Sequence, residues 1–313
     1  MPRRCHRGAA GGVLRHPYPQ RPHTHPQEKE GHVNTAADVP ADRAPLKQRV
    51  LQSSIVRILL TASVVVFAAF LPEAVIHSFV PKPWRPVWPE LVSAAMALLA
   101  YRWYTRRREQ RDVAEVSTMR AVPELAAGLG VGFVLVGAVI AALAAMGAYH
   151  LQRMNAWSFA IVKPIGEMVF VGTLEELLFR AIIFRILERA WGTWPALAVS
   201  SVLFGLAHIP GASPTLLAIG IVVVASVMLT AAYLLTRRVW LCIGIHIGWN
   251  YTLGTVWSIA VSGHEAKEGL FSGQLTGPEW LTGGAYGLEG SVVSLVVLAM
   301  ATALLARRVQ PPR

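Results

Sequence analysis

Cysteine is scarce in this chain, with two in 313 residues: Cys5 in a tail and Cys242 inside an apolar stretch. A disulfide-stapled secreted scaffold is thereby excluded. Charge is scarce as well. Only 15% of residues are charged and 54% are hydrophobic, whereas ordinary globular domains carry about 25% charged residues. Acids are outnumbered by Lys and Arg, 18 against 29, for a formal charge of +11. The cations flank hydrophobic runs instead of forming one stripe, so nucleic acid is excluded as a partner.

The basic start is followed by no apolar core, so it is not a signal peptide. Residues 1–54 hold prolines, histidines and scattered charges without an apolar run able to offset ordering entropy. They read as a disordered, basic, Pro/His-rich tail, and an over-extended start of translation is one reading of it. The tail histidines His16, His23, His25 and His32 lack any fixed zinc-ligand spacing.

Long apolar runs fill the remainder. Eight can be counted: Ile55–Val80, Val87–Tyr104, Leu125–Tyr149, Trp157–Glu188, Thr193–His208, Thr215–Leu235, Trp240–Ser262 and Ser291–Ala306. A backbone in lipid must satisfy its polar groups internally, so each is expected to be a helix. The predicted fold is all-α, a polytopic membrane bundle of about eight transmembrane helices over residues 55–313, with its core at about 157–291. Arginines cluster at 106–108 and 111, at 185 and 189, at 237 and 238, and at 307 and 308. Opposite loops hold chiefly Lys82, Arg85, Arg153 and Lys267. The asymmetry predicts a multi-pass protein of the cell membrane with both termini cytoplasmic. The Gly-rich stretch Gly269–Gly290 is expected to be an external loop that dips against the bundle.

Ionisable groups at membrane depth carry the functional signal, because each costs about 2.5–3.5 kcal/mol near the bilayer centre on insertion scales. The fourth segment carries Lys163, Glu167, Glu175, Glu176 and Arg180. Lys163 with Glu167 and Glu176 with Arg180 are spaced i,i+4, so each acid has a base one turn away. Glu175 is left without such a partner. A structural ion network is the favoured reading for Glu176 and Arg180, and function for Glu175. Phe204 and His208 share one face of the fifth segment. Counting from the turn at Trp191 and Gly192, Glu175 and His208 each lie roughly 24 Å along antiparallel neighbours. His246 and Asn250 share a face of the seventh segment at similar depth. A separate count, from Arg185 and Trp240, puts these groups in the cytoplasmic half of the membrane. Cys242, one turn before His246, is better read as a packing residue than as a nucleophile.

The ordered set Glu175-Glu176-x-x-x-Arg180, Phe204-x-x-x-His208 and His246-x-x-x-Asn250 on successive apolar segments resembles the CPBP family of intramembrane proteases. That family includes the CAAX prenyl endopeptidases and the bacterial Abi, or bacteriocin-processing, relatives. The resemblance covers roughly Trp157–Ser291, and Leu281–Ser291 is similar to the stretch before the last helix of many bacterial members. It implies an endopeptidase acting on a peptide or protein substrate at the lipid bilayer. By that resemblance Glu175 activates water and His208 shares and orients it. His246 and Asn250 stabilise the oxyanion, while Phe204, Glu176 and Arg180 support the site.

Two rival classes are a proton-coupled membrane transporter, since buried Glu and His also mark proton relays, and a non-catalytic membrane scaffold or immunity protein. The chain has no visible repeat of the kind transporters often carry, and both Glu175 and His208 are present. A metal is the remaining question. Glu175, His208 and His246 match the His2Glu ligand set of catalytic zinc sites, and zinc or another divalent ion would be the cofactor. No His-Glu-x-x-His pair is present, and a ligating Glu175 would leave only Glu176 as base, so a metal-free mechanism is preferred.

Overall fold

The structure, a computed structural model, describes residues 53–211, 213–265 and 268–309. The proposed tail and its histidines therefore lie outside the described residues. All described residues fall within one compact unit, Pro45–Arg313.

Helices dominate, as the apolar runs predict. In chain order they are α1 Ser54–Phe79, α2 Trp88–Glu109, α3 Ala121–Ala145, α4 Pro164–Glu176, α5 Arg185–Trp191, α6 Thr193–Ala207, α7 Leu216–Thr236, α8 Trp240–Tyr251, the single turn α9 Glu279–Thr282 and α10 Val292–Ala306. Residues Leu177–Phe184 between α4 and α5 continue the helix as a π-helical segment, and Thr252–Val256 extend α8 in the same way. Three helical stretches among the described residues are long and apolar enough to cross a membrane: Ser54–Phe79, Ala114–Ala145 and Leu216–Thr236. The others are too short or carry too much charge. The fourth run contains five ionisable groups before Arg185, and α8 stops as a regular α-helix at Tyr251.

An all-α fold does not describe the whole molecule. Strands β1, Tyr149–Met154, and β2, Phe271–Leu275, pair antiparallel, with Tyr149 opposite Leu275 and Met154 opposite Phe271. Both come from loops between the helices, where polar residues alternate with bulkier ones and backbone groups need partners from another segment. Asn155 fastens the sheet by donating from Nδ2 to the Gly269 carbonyl at 2.8 Å.

Glycine sets the closest helix contact. On α3, Gly128 and Gly132 face Gly244 and Gly248 on α8. A Cβ on Gly132 would stand 2.5 Å from the Ile245 carbonyl oxygen, and one on Gly244 would stand 2.3 Å from that of Leu125. This small-xxx-small packing brings the backbones together where apolar surface alone would give no preference in lipid. Since α8 carries His246 and Asn250, the same contact fixes their height.

One end of the bundle is tied by arginines. Glu109, closing α2, accepts from Arg57 at 3.0 Å, Arg111 at 2.6 Å, Arg185 at 2.8 Å and Arg189 at 3.3 Å. Glu115 accepts from Arg111 at 2.6 Å and lies 3.0 Å from Arg185 Nε, which itself donates to the Ala181 carbonyl at 2.7 Å. Arg237 reaches Glu188 at 2.7 Å. Three of the four arginine clusters predicted to share one side thus meet at one end. Burial alone would raise the Glu109 carboxyl, but hydrogen bonds and charge from Arg185 and Arg111 outweigh it and hold the group well below the usual carboxylate range.

Two outcomes are expected. Gly132→Val should abolish folded protein in size-exclusion profiles, whereas Gly130→Ala, with open space around its Cβ position, should behave as wild type. Because Glu109 ionises more readily folded than unfolded, its stabilisation is complete above a pH of about 4.3. That contribution fades as pH falls toward its depressed folded value. Glu109→Gln should therefore flatten the acid limb of a thermal-stability profile measured against pH; an unchanged limb would assign acid sensitivity to other groups.

Candidate active site

Gly172 lets α4 approach α8. A Cβ there would lie 3.0 Å from Ile247 Cγ1 and 3.7 Å from His246 Cβ. One turn later, Glu175 and Glu176 end α4, and the chain widens into the π-helical segment that carries Arg180. The second π-helical segment begins two residues after Asn250. Such insertions are rare and gather at functional sites.

Glu176 and Arg180 are both fully buried, at 0% exposure. Arg180 Nη1 donates to Glu176 Oε1 at 3.1 Å, while Nη2 donates to the Ser226 carbonyl at 3.1 Å and to its Oγ at 3.0 Å. The guanidinium also lies 4.7 Å from the centre of the Phe204 ring. The predicted Glu176–Arg180 pair is present. Glu176 does more than pair with Arg180, however. Its Oε1 is 2.9 Å from His246 Nδ1, and a carboxylate can only accept, so Nδ1 carries the proton. His246 Nε2 then points toward Glu175, whose Oε2 is 3.9 Å away and has no hydrogen-bond partner in the protein. The nearest imidazole partner of Glu175 is thus His246 on α8, and no direct bond joins Glu175 to His208.

His208 follows the last residue of α6. Its Nδ1 is 2.8 Å from the Phe204 carbonyl, which obliges Nδ1 to donate and leaves Nε2 as the acceptor. Phe204 lies between the two histidines, with ring centres 4.7 Å from His208 and 6.4 Å from His246. Asn250, 9% exposed, sits one turn beyond His246. Lys163 and Glu167 do not pair: both are exposed, and Glu167 instead lines the mouth of a cavity. Cys242 is a free, buried thiol that donates to the Leu229 carbonyl at 3.2 Å, as a packing residue would.

Glu175, Phe204, His208, His246 and Asn250 line one cavity of about 580 Å³. Its walls are largely apolar, with Met168, Leu178, Phe179, Val222 and Met228 among them. It extends toward Val261, Ser262, His264 and Glu289, in the loops opposite the arginine-tied end. Glu175 and His208, expected at one height by counting from Gly192, both line this cavity.

The proposed metal ligands do not form a coordination site. Zinc needs donors at about 2.0–2.2 Å in tetrahedral array, and no three His, Cys, Asp or Glu side chains among the described residues make such a group. Glu175 and His246 approach each other, but His208 does not complete the set.

Sequence reasoning missed Ser226, Trp249, Ser262 and Glu289. Ser226 is one of several small polar residues, with Thr230 and Thr236, in an otherwise apolar run and leaves no signal. Trp249 looks like an ordinary belt or interior residue, yet it is buried beside Asn250 and donates to Glu289. Glu289 lies in the Gly-rich stretch whose likeness to bacterial relatives was apparent, without any spacing to identify its partner.

Compared with known families, residues 156–252 match the model of the Type II CAAX prenyl endopeptidase Rce1-like family. The match covers under half of the chain and includes every residue of the three motifs. This is a CAAX protease family, and all but the first residue of the match falls in the stretch over which the motifs indicated that resemblance. No curated protein matches the chain.

The geometry makes the buried ion pair testable. Arg180→Ala leaves Glu176 buried with one partner fewer, and breaking such a pair typically costs about 3–5 kcal/mol. Folded yield and melting temperature should both fall. Glu176→Gln combined with Arg180→Met removes both charges and should recover much of the yield. No recovery would mean that the pair contributes more than mutual neutralisation.

Proposed function

We propose that this protein is an intramembrane endopeptidase of the CAAX-protease type that hydrolyses a peptide bond with a water activated by Glu175. The supporting observation is the convergence of Glu175, His208, His246 and Asn250 on one largely apolar cavity, inside the stretch that matches a protease family. The remaining apolar runs complete a multi-pass bundle of about eight spans. Its arginine-tied end and both termini face the cytoplasm, and residues 1–54 form a tail outside the membrane domain. The substrate is a peptide or protein segment reaching the cavity from the bilayer.

Water between Glu175 and His246 gives its proton to the Glu175 carboxylate as its oxygen attacks the scissile carbonyl. His208, with Nε2 left as an acceptor, shares and orients that water. The carbonyl oxygen gains the electron pair of the broken π bond and becomes an oxyanion. Asn250 donates to it from its amide. His246 donates from Nε2 when both ring nitrogens carry protons. Collapse of the tetrahedral intermediate breaks the C–N bond, and the proton held by Glu175 passes to the leaving amine. The products are one carboxylate and one amine, and neither Ser nor Cys is needed as nucleophile. Phe204 holds the two imidazoles apart, and Glu176 with Arg180 fixes the rotamer of His246.

The test is purified protein in detergent with a quenched-fluorescent peptide ending in a farnesylated CAAX sequence, alongside its unprenylated counterpart. Glu175→Gln and His208→Ala should abolish cleavage while leaving the size-exclusion profile unchanged. Asn250→Ala should retain partial activity, since losing one oxyanion donor typically costs roughly 100- to 1,000-fold. Full turnover by Glu175→Gln would refute the mechanism. Chelator-treated protein shown to be metal-free should keep its activity, and loss that stoichiometric zinc restores would overturn that route.

A further inference from the structure

The loop before the last helix holds a carboxylate that the mechanism does not use. Glu289 lines the cavity, and both of its oxygens are engaged. Trp249 Nε1 donates to Oε1 at 3.0 Å. Ser262 donates to Oε2 twice, from Oγ at 2.9 Å and from its backbone nitrogen. One side chain therefore joins three segments: α8 beside Asn250, the turn after the second π-helical segment, and the 3-10 turn Leu288–Gly290.

The loop is built to hold that carboxylate in place. Gly287 has a φ of +91°, and a Cβ there would stand 2.1 Å from the Ala260 carbonyl oxygen, so the loop lies directly on the 260–263 segment. Gly263 donates its N–H to the Tyr286 carbonyl at 3.0 Å. Ser294 Oγ donates to the Leu288 carbonyl at 2.6 Å, anchoring the loop to α10. Tyr286 is buried in a cluster with Phe204 and Val222. The same short loop thus supports Phe204, beneath His208, and Trp249, beside Asn250.

We infer that Glu289 is a positioning residue: by clamping Trp249 and Ser262 it sets the rotation of α8, and hence the aim of His246 and Asn250 into the cavity. The inference rests on the proteolytic reading for its effect on turnover, but the contact itself does not. In a helix the side chain at 249 cannot rotate about the axis without carrying 246 and 250 with it. Donors aimed at a developing oxyanion act only when correctly placed, and a misplacement of about 1 Å can cost roughly a hundredfold in rate.

Glu289→Gln keeps the shape of the side chain but puts an amide NH2 where an acceptor is needed, so it can serve Trp249 or Ser262 and not both. Trp249→Phe removes the α8 arm alone. Each should lower kcat roughly ten- to a hundredfold with KM little changed. The double variant should be no slower than the slower single, because both act through one contact. With 5-fluorotryptophan incorporated, the fluorine resonance that Trp249→Phe deletes should shift in Glu289→Ala. If Glu289→Ala does not fold, the same resonance is read in Glu289→Gln. Unchanged kcat in both single variants, multiplicative effects in the double, or an unmoved fluorine resonance would overturn the inference. Failure of the proteolytic reading appears separately, as no Glu175-dependent cleavage by wild type, and the fluorine shift then decides for or against the clamp.

Discussion

A carboxylate with no exposed surface dominates the architecture. Removing Glu176 from water costs several kcal/mol unless its charge is matched and its lone pairs are used. Arg180 and the Nδ1–H of His246, on two different helices, both donate to its Oε1, while its Oε2 has no hydrogen-bond partner in the protein. Arg180 in turn needs Ser226 on a third helix and the face of Phe204 on a fourth. Four helices are thus locked in rotation by one acid. Glu175, the preceding residue on the same helix, is carried along with it and lines the cavity. The structural carboxylate and the one proposed to react are neighbours, so the first fixes where the second faces.

Close backbone packing supplies what the ion network cannot. Hydrogen bonds fix rotation, whereas the glycine contacts between α3 and α8 fix separation and height. Lipid offers no hydrophobic drive to bring helices together, so shape and a few polar contacts must do it. At the far end the arginines around Glu109 close the bundle, and the loops around Glu289 close the cavity. Two π-helical segments follow Glu176 and Asn250 closely, and each locally re-aims its helix next to a group proposed to act.

Much of the site was legible because helical spacing is simple arithmetic. The i,i+4 relations of Glu176 with Arg180, Phe204 with His208 and His246 with Asn250 all hold, and counting from Gly192 put Glu175 level with His208. Relations between helices were less accessible. That Glu176 holds His246, and that Glu175 faces His246 instead of His208, depends on the rotation of α4 against α8. That rotation comes from Gly172 and from the π-helical turn, which no periodicity in Leu177–Phe184 announces. The antiparallel pair β1–β2 escaped because its strands are short and more than a hundred residues apart. Eight apolar runs were visible, yet among the described residues only three helical stretches meet the length and composition of a span, and Thr193–Ala207 and Val292–Ala306 are apolar but too short. The Gly-x-x-x-Gly spacing on α3 and α8 is present in the sequence, but its meaning depends on which helix lies opposite.

Direct attack by water on the peptide carbonyl is the central claim, and it differs from covalent catalysis in what the protein carries during turnover. Acid-quenched samples of the protein turning over its peptide, analysed by intact mass, decide between them. The account predicts an unmodified protein at every time point, with one oxygen-18 in the new carboxylate when the reaction runs in labelled water. A protein heavier by the mass of the acyl fragment, appearing and decaying with turnover, would contradict it.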